Sequence, residues 1–228
     1  MNTRTPSRSR TPFVIGAVVV LVAVIAVVAV LLGGGGDDAT APTVPASTLP
    51  AGSSPGSTDV ALSQGVVVTG EPLPEGEGSA DPAIGDPAPA LSGFDYAGQA
   101  VDIAPGTDGP MMVVFLAHWC PHCNAEVPVL LEWEESGDIP ADLQVVGVST
   151  AVSADRPNFP PGEWLSDKGW DWPVIADDAE QTAAQAYGVT GYPFITFIDA
   201  DGNVVARTSG ELPIEALQAF ADETVERA

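Results

Sequence analysis

The chain has 228 residues, enough for one ordinary domain with additions but not for two full ones. Its formal net charge is −24, and only Arg4, Arg8 and Arg10 are basic among the first 155 residues. A globular part this anionic repels phosphate backbones, which excludes a nucleic-acid partner.

Residues 1–12 carry those three arginines and no acid, and read as a short cytoplasmic tail. Residues 13–32, "FVIGAVVVLVAVIAVVAVLL", contain no charge. At a helical rise of 1.5 Å per residue such a run crosses a hydrocarbon core of roughly 30 Å. The expectation is a single-pass anchor in a bacterial-type cytoplasmic membrane, with the basic end inside and everything after residue 32 outside. A cleaved signal peptide, whose apolar region is about 7–15 residues, is the alternative. Ala39-Thr40-Ala41 resembles a cleavage site and would leave a secreted protein. Residues 33–80 are rich in Gly, Pro, Ser, Thr and Ala and read as a flexible linker, reaching roughly 40 Å root-mean-square. Val66-Val67-Val68 is the one stretch within it able to form a short strand.

From residue 81 to residue 228 the pattern is that of a folded domain. Residues 111–117, "MMVVFLA", form an apolar run suited to a strand buried on both faces. Val127, Leu130 and Leu131 then follow helical spacing. Residues 143–149 read as a second buried strand, and 150–172 as a looser segment carrying Trp164, Trp170 and Trp172. A short helix is expected over 180–187, ending at Gly188. The apolar runs 194–198 and 204–207 flank "DADGN" and predict a hairpin. An amphipathic helix over 214–225 closes the domain. Strands interleaved with helices indicate an α/β sheet covered on both faces.

Both cysteines and both histidines of the chain fall within six positions, His118-Trp119-Cys120-Pro121-His122-Cys123, between the first strand and the first helix. A three-residue offset at a helix start brings two sulfurs onto one face, close enough to bridge. Cys120 would sit at the helix N-terminus, where unpaired N–H groups and the macrodipole favour a thiolate. Cys123 would lie one turn inside, shielded. That asymmetry makes Cys120 the attacking and attacked atom and Cys123 the resolving one. Pro121 suits the first helical turn, where its missing N–H costs little.

The segment 119–128, "WCPHCNAEVP", resembles the active-site segment of the TlpA/DsbE group of membrane-anchored thioredoxin-fold proteins. Residues 84–89, "IGDPAP", are similar to that group's domain opening, and 187–193, "YGVTGYP", to the loop bearing its cis-proline. The resemblance implies a thioredoxin-like fold, with a central mixed sheet, helices on both faces and a family-type insertion at 150–172. It implies thiol-disulfide exchange through Cys120 and Cys123, with Trp119, Glu126 and the loop bearing Tyr192 and a cis-Pro193 in support; Pro121 and His122, between the cysteines, join the supporting residues by their position. No cofactor is implied beyond the redox-active Cys120–Cys123 disulfide. The implied partners are protein thiols and disulfides outside the cytoplasmic membrane, and an external redox partner that resets the dithiol. Two features depart from the pattern. The Pro-His pair is closer to the disulfide-donating oxidase DsbA, and the place of thioredoxin's buried acid is taken by Val114. A His122 that steadies the Cys120 thiolate stabilises the reduced form and makes the disulfide a stronger oxidant, which leans the reading toward oxidation.

Other readings stand beside these. A purely structural Cys120–Cys123 bridge closes too small a loop to stabilise much. A closed zinc site drawn from four ligands in six consecutive residues strains a tetrahedron. An open copper site is the strongest competitor, since thiolates suit Cu(I), and would make the protein a metal-binding module. His118 is expected at the surface, and Trp119 as both packing and a groove lip. Glu126 is either a solvated helix charge or an acid serving Cys123. Pro128 predicts a kink, and the tryptophans at 164, 170 and 172 are expected to pack the insertion onto the sheet.

Overall fold

The computed structural model describes residues 57–227. The expected tail, the anchor over 13–32 and the first half of the linker lie outside the described residues. Among the described residues, no helix is long and apolar enough to cross a membrane.

In chain order the elements are α1 (Ser57–Gln64), β1 (Val67–Thr69), a 3₁₀ turn (Gly78–Ala80), β2 (Ala90–Phe94), β3 (Ala100–Ile103), β4 (Met111–Leu116) and α2 (Pro121–Ser136). Then come β5 (Gln144–Ser149), α3 (Pro161–Lys168), β6 (Val174–Ala176), α4 (Thr182–Ala186), β7 (Phe194–Ile198), β8 (Val204–Ser209) and α5 (Ile214–Glu226). The main sheet has the order β6-β5-β4-β7-β8. Strand β4 runs parallel to β5 and antiparallel to β7, so the sheet is mixed, as expected. All six β4 residues are buried, which is why the strand reads as an unbroken apolar run rather than an alternation. Its side chains still divide by the two-residue strand period. Met112, Val114 and Leu116 enter one core with Leu130 and Trp133 of α2 and Leu217 of α5. Met111, Val113 and Phe115 enter the other, with Tyr187 and the β2–β3 hairpin residues Leu91 and Ile103.

The folded domain begins earlier than residue 81. Strand β1 pairs antiparallel with β2, matching Val68 to Leu91, and Leu73 N donates to Ala186 O at 2.9 Å. The linker drawn to residue 80 therefore overran into the domain. Its Gly and Pro content marks an irregular path here, not freedom, since the backbone is held by partners distant in sequence. Arg207 of β8 is the main one. Its guanidinium is 1% exposed and donates to both Asp81 carboxylate oxygens, to Tyr187 O at 2.7 Å and to Pro74 O at 2.8 Å. Gly188, at φ +62, lies against the Pro74 carbonyl, where a Cβ would collide.

The insertion contributes α3, and its tryptophans pack inward as expected. Trp164 and Trp170 are buried, and Trp172 packs beside Trp170 with ring centroids 5.0 Å apart. Gly147 of β5 has no Cβ because the Trp170 ring occupies that space. The hairpin β2–β3 and strand β6 were not anticipated, being short and only partly apolar. Gly93 in β2 is likewise set by a neighbour, Ile175 of β6.

Because the Asp81–Arg207 pair is buried, removing one member strands the other charge. Arg207→Met is expected to lower unfolding free energy by about 3–5 kcal/mol, measured by urea denaturation. Adding Asp81→Asn should recover part of that loss.

Candidate active site

Strand β4 ends at Leu116, and the chain turns within four residues into α2. Cys120 is the helix N-cap, with extended φ −74 and ψ 124, and Pro121 follows at the first helical position. The first intrahelical bond runs from Asn124 N to Cys120 O at 3.1 Å. Both thiols are free. Cys120 keeps 6% exposure, and its Sγ donates to Tyr192 O at 3.3 Å. Cys123 is fully buried, and its Sγ accepts from Ala117 N at 3.4 Å. Burial pushes the Cys123 thiol well above its ordinary range, with the Cys120 and Glu126 charges adding to that effect and the Ala117 N–H opposing it. The rim-and-interior asymmetry read from the spacing is present.

The Tyr192–Pro193 peptide is cis, and so is Phe159–Pro160, which nothing in the sequence marked. Trp119 packs edge-on to Tyr192 at 6.2 Å, and its indole N–H donates to Ala151 O at 2.7 Å. Together the two rings form a lip beside the Cys120 sulfur. His122 has a different partner from the one expected: its Nδ1 bonds Glu211 Oε1 at 2.7 Å on the exposed side, rather than the Cys120 sulfur.

Glu126 is not a solvated helix charge, since it is fully buried. Oε2 accepts from Leu212 N at 3.0 Å, and Oε1 has no partner. Burial raises its pKa to about 7, with the Glu211 charge adding and the Leu212 N–H opposing. Thioredoxin's acid position is a buried valine, Val114. This fold therefore brings its carboxyl to the dithiol from α2, one turn beyond Cys123. The link 210–212 after β8 reaches three parts of the site: Gly210 N to Pro193 O at 2.9 Å, Glu211 to His122, and Leu212 to Glu126. No local signal marked those residues, because their role comes from where β8 ends.

His118 corrects the expectation of a surface histidine, being fully buried. Nδ1 bonds Pro157 O at 2.7 Å and Nε2 accepts from Ser153 N at 3.2 Å, so the neutral tautomer with its proton on Nδ1 is assigned from these partners. Burial lowers its proton affinity. With both ring nitrogens of His118 occupied and His122 held by Glu211, the donors for a copper site do not converge on the sulfurs.

Asn124 was also missed. Its Nδ2 donates to Cys120 O at 2.9 Å and to His118 O at 3.2 Å, while Oδ1 accepts from Trp164 Nε1 at 2.9 Å. It ties the dithiol turn to the insertion. Pro128 sits inside a continuous α2, and having no N–H it leaves the carbonyl of Asn124 without its helical donor. Lys168 of α3 supplies one, Nζ to Asn124 O at 3.2 Å.

Residues 83–223 match the Redoxin family, and the chain belongs to it. It is 32% identical over 131 residues to the thiol:disulfide interchange protein DsbE homolog of Paracoccus denitrificans, covering 57% of this chain and 68% of that one. It is 26% identical over 141 residues to the thiol-disulfide oxidoreductase ResA of Bacillus thuringiensis, covering 60% and 76%. A thioredoxin-family thiol:disulfide interchange protein from Chlorobium tepidum superposes with a TM-score of 0.51 at 25% identity, over 61% of this chain and 96% of that one. The domain is thioredoxin-like, the resemblance to the TlpA/DsbE group holds, and the chain is a thiol-disulfide oxidoreductase.

Because burial favours the neutral form of Glu126, its ionisation opposes folding. The cost is absent below the ordinary carboxyl range and complete above about pH 7. Glu126→Gln is expected to unfold like the unaltered protein near pH 4 and to gain on the order of 1–3 kcal/mol over it at pH 8. Urea titrations at the two pH values check this.

Proposed function

We propose that this protein exchanges disulfides with secreted or envelope proteins outside the cytoplasmic membrane, through Cys120 and Cys123 alone and without a further cofactor. The observation that carries the reading is the unequal placement of the two sulfurs: Cys120 at the helix N-cap on the rim, Cys123 buried beneath it.

In the oxidising direction, a substrate thiolate attacks Cys120 Sγ of the disulfide. The Cys120–Cys123 bond breaks, and Cys123 leaves as a thiolate whose burial demands a proton at once. Glu126, a buried acid one turn further along α2 and electrostatically coupled to Cys123, gives it in this proposal. A second substrate thiolate then attacks the substrate's own sulfur in the mixed disulfide and releases Cys120. The substrate ends with a new disulfide, two electrons and two protons poorer, and the protein holds a dithiol. An external acceptor of those electrons resets it. In the reducing direction the steps reverse, with Cys120 as nucleophile and Glu126 taking the Cys123 proton. Oxidation is the direction proposed, on the resemblance of the Pro121-His122 pair to that of the disulfide-donating oxidase DsbA; the His122 ring itself is paired with Glu211.

The lip formed by Trp119 and Tyr192, and the position of Pro193, suit an extended peptide laid across the Cys120 sulfur. Localisation rests on the basic tail and the apolar run over 13–32. That run anchors the chain, and the residues after it hold the domain at the outer face.

Equilibration of the purified protein with glutathione gives the reduction potential. An oxidase is expected well above thioredoxin's ~−270 mV, and a value at that level reverses the proposed direction. The proton-transfer role is separable. Resolution of a Cys120 mixed disulfide by Cys123 should quicken as pH rises through about 7. In Glu126→Gln that inflection should vanish, with the rate at pH 8 down roughly 100-fold, followed by quenched-flow release of a labelled peptide.

A further inference from the structure

We propose that Arg156 selects partner segments in which a carboxylate stands beside the reactive cysteine; the inference rests on the disulfide-exchange reading above and names its substrate class. All but two of the chain's 31 acidic residues lie beyond residue 56, where the only basic ones are Arg156, Lys168, Arg207 and Arg227. Three of these have partners. Arg207 is buried on Asp81, Arg227 bridges Glu223, and Lys168 serves the Asn124 carbonyl. Among the described residues, Arg156 is the one cation whose side chain makes no hydrogen bond, and it is exposed. Its guanidinium lies over the Trp119 ring, 4.6 Å from the centroid. Exposed and without a hydrogen-bond partner, this guanidinium keeps its five N–H donors uncommitted beside the residue preceding Cys120, and a guanidinium's fork matches a carboxylate bidentately.

The loop that bears it is held on both sides. Ser153 N donates to His118 Nε2, His118 Nδ1 donates to Pro157 O, and Asn158 Nδ2 donates to His118 O at 2.8 Å. A cation fixed this way is ordered before a partner arrives, so little side-chain freedom remains to be lost on contact. Competing anions nearby are already committed: Glu211 to His122, and Glu126 inside the protein. Asp155 adjoins Arg156 in sequence but forms no ion pair with it among the described residues. Among the described residues, the dithiol lip carries the one cation without a hydrogen-bond partner, and so offers a carboxylate a free donor.

The test uses the reduced full-length chain and three peptides of one sequence. Each carries a single cysteine as its 2-thiopyridyl disulfide, with Asp, Asn or Lys next to it. The Cys120 thiolate attacks the peptide sulfur, the mixed disulfide forms, and the thiopyridyl group leaves with the electron pair and is read by absorbance. Cys123 then displaces the peptide as its thiol. Dividing each rate by that of dithiothreitol with the same peptide removes the intrinsic effect of the neighbouring charge. The normalised Asp-to-Lys ratio is expected at about two to five at low ionic strength, the range of an exposed ion pair, and should fall toward one in high salt. Arg156→Gln should bring it to one or below, and Arg156→Lys should retain part of it. A ratio of one or below in the unaltered chain overturns the proposal. So does an Arg156→Gln variant that slows all three peptides alike, which would mean that Arg156 acts on the sulfur and not on the substrate. An Asn peptide that reacts no faster than with dithiothreitol, beside an intact Asp-to-Lys ratio, counts against the exchange reading alone.

Discussion

Two sulfurs separated by two residues are both buried, but Cys120 keeps 6% exposure at the helix N-cap while Cys123 keeps none. The constraint originates in β4. It is the central strand and its last residues lie in the core, so the chain leaves the strand's end and enters α2 within four residues. The turn leaves Cys120 as the N-cap with a small residual exposure, while one helical turn carries Cys123 under the end of the strand, against Ala117 N. An ionised sulfur is penalised at Cys123 by loss of solvent, since its burial is complete. Chemistry at this dithiol is directional because of that difference.

A buried leaving group needs a proton close by, and the fold supplies Glu126 from the same helix face as Cys123. Its carboxyl is shared with the 210–212 link, which also bonds Pro193 O and His122. The proton affinity of the acid, the orientation of the histidine and the position of the proline loop are therefore mechanically connected. A change at the end of β8 reaches all three without touching a sulfur. Charge adds a second connection, since the exposed Glu211 carboxylate makes it harder for Glu126 to ionise.

The insertion between β5 and β6 serves the site as much as the core. Trp164 and Lys168 both terminate on Asn124, and the loop before α3 folds over the buried His118 ring. Pro128, a residue that breaks helices elsewhere, is accommodated because Lys168 donates to the carbonyl left open one turn earlier. The insertion is thus bonded to the dithiol turn at several atoms, and Arg156 inherits a fixed position over Trp119 from that attachment.

Much of this is legible in the sequence. The strands over 111–117 and 194–198 follow from continuous apolar runs, the hairpin from the turn residues between two such runs, and the closing helix from its 3.6-residue period, all local properties of the chain. The three-residue cysteine spacing at a strand-to-helix turn, with a proline at the first helical position, defines which sulfur is outside. Only the tertiary structure decided that the Gly- and Pro-rich segment before residue 81 is bound, that His118 is an interior anchor, that His122 pairs with Glu211, and that Glu126 is buried. Each depends on contacts across large sequence separations, Arg207 to Pro74 and Leu212 to Glu126 among them. A side chain's neighbours at such distances are set by sheet order and chain crossing, which local pattern does not encode.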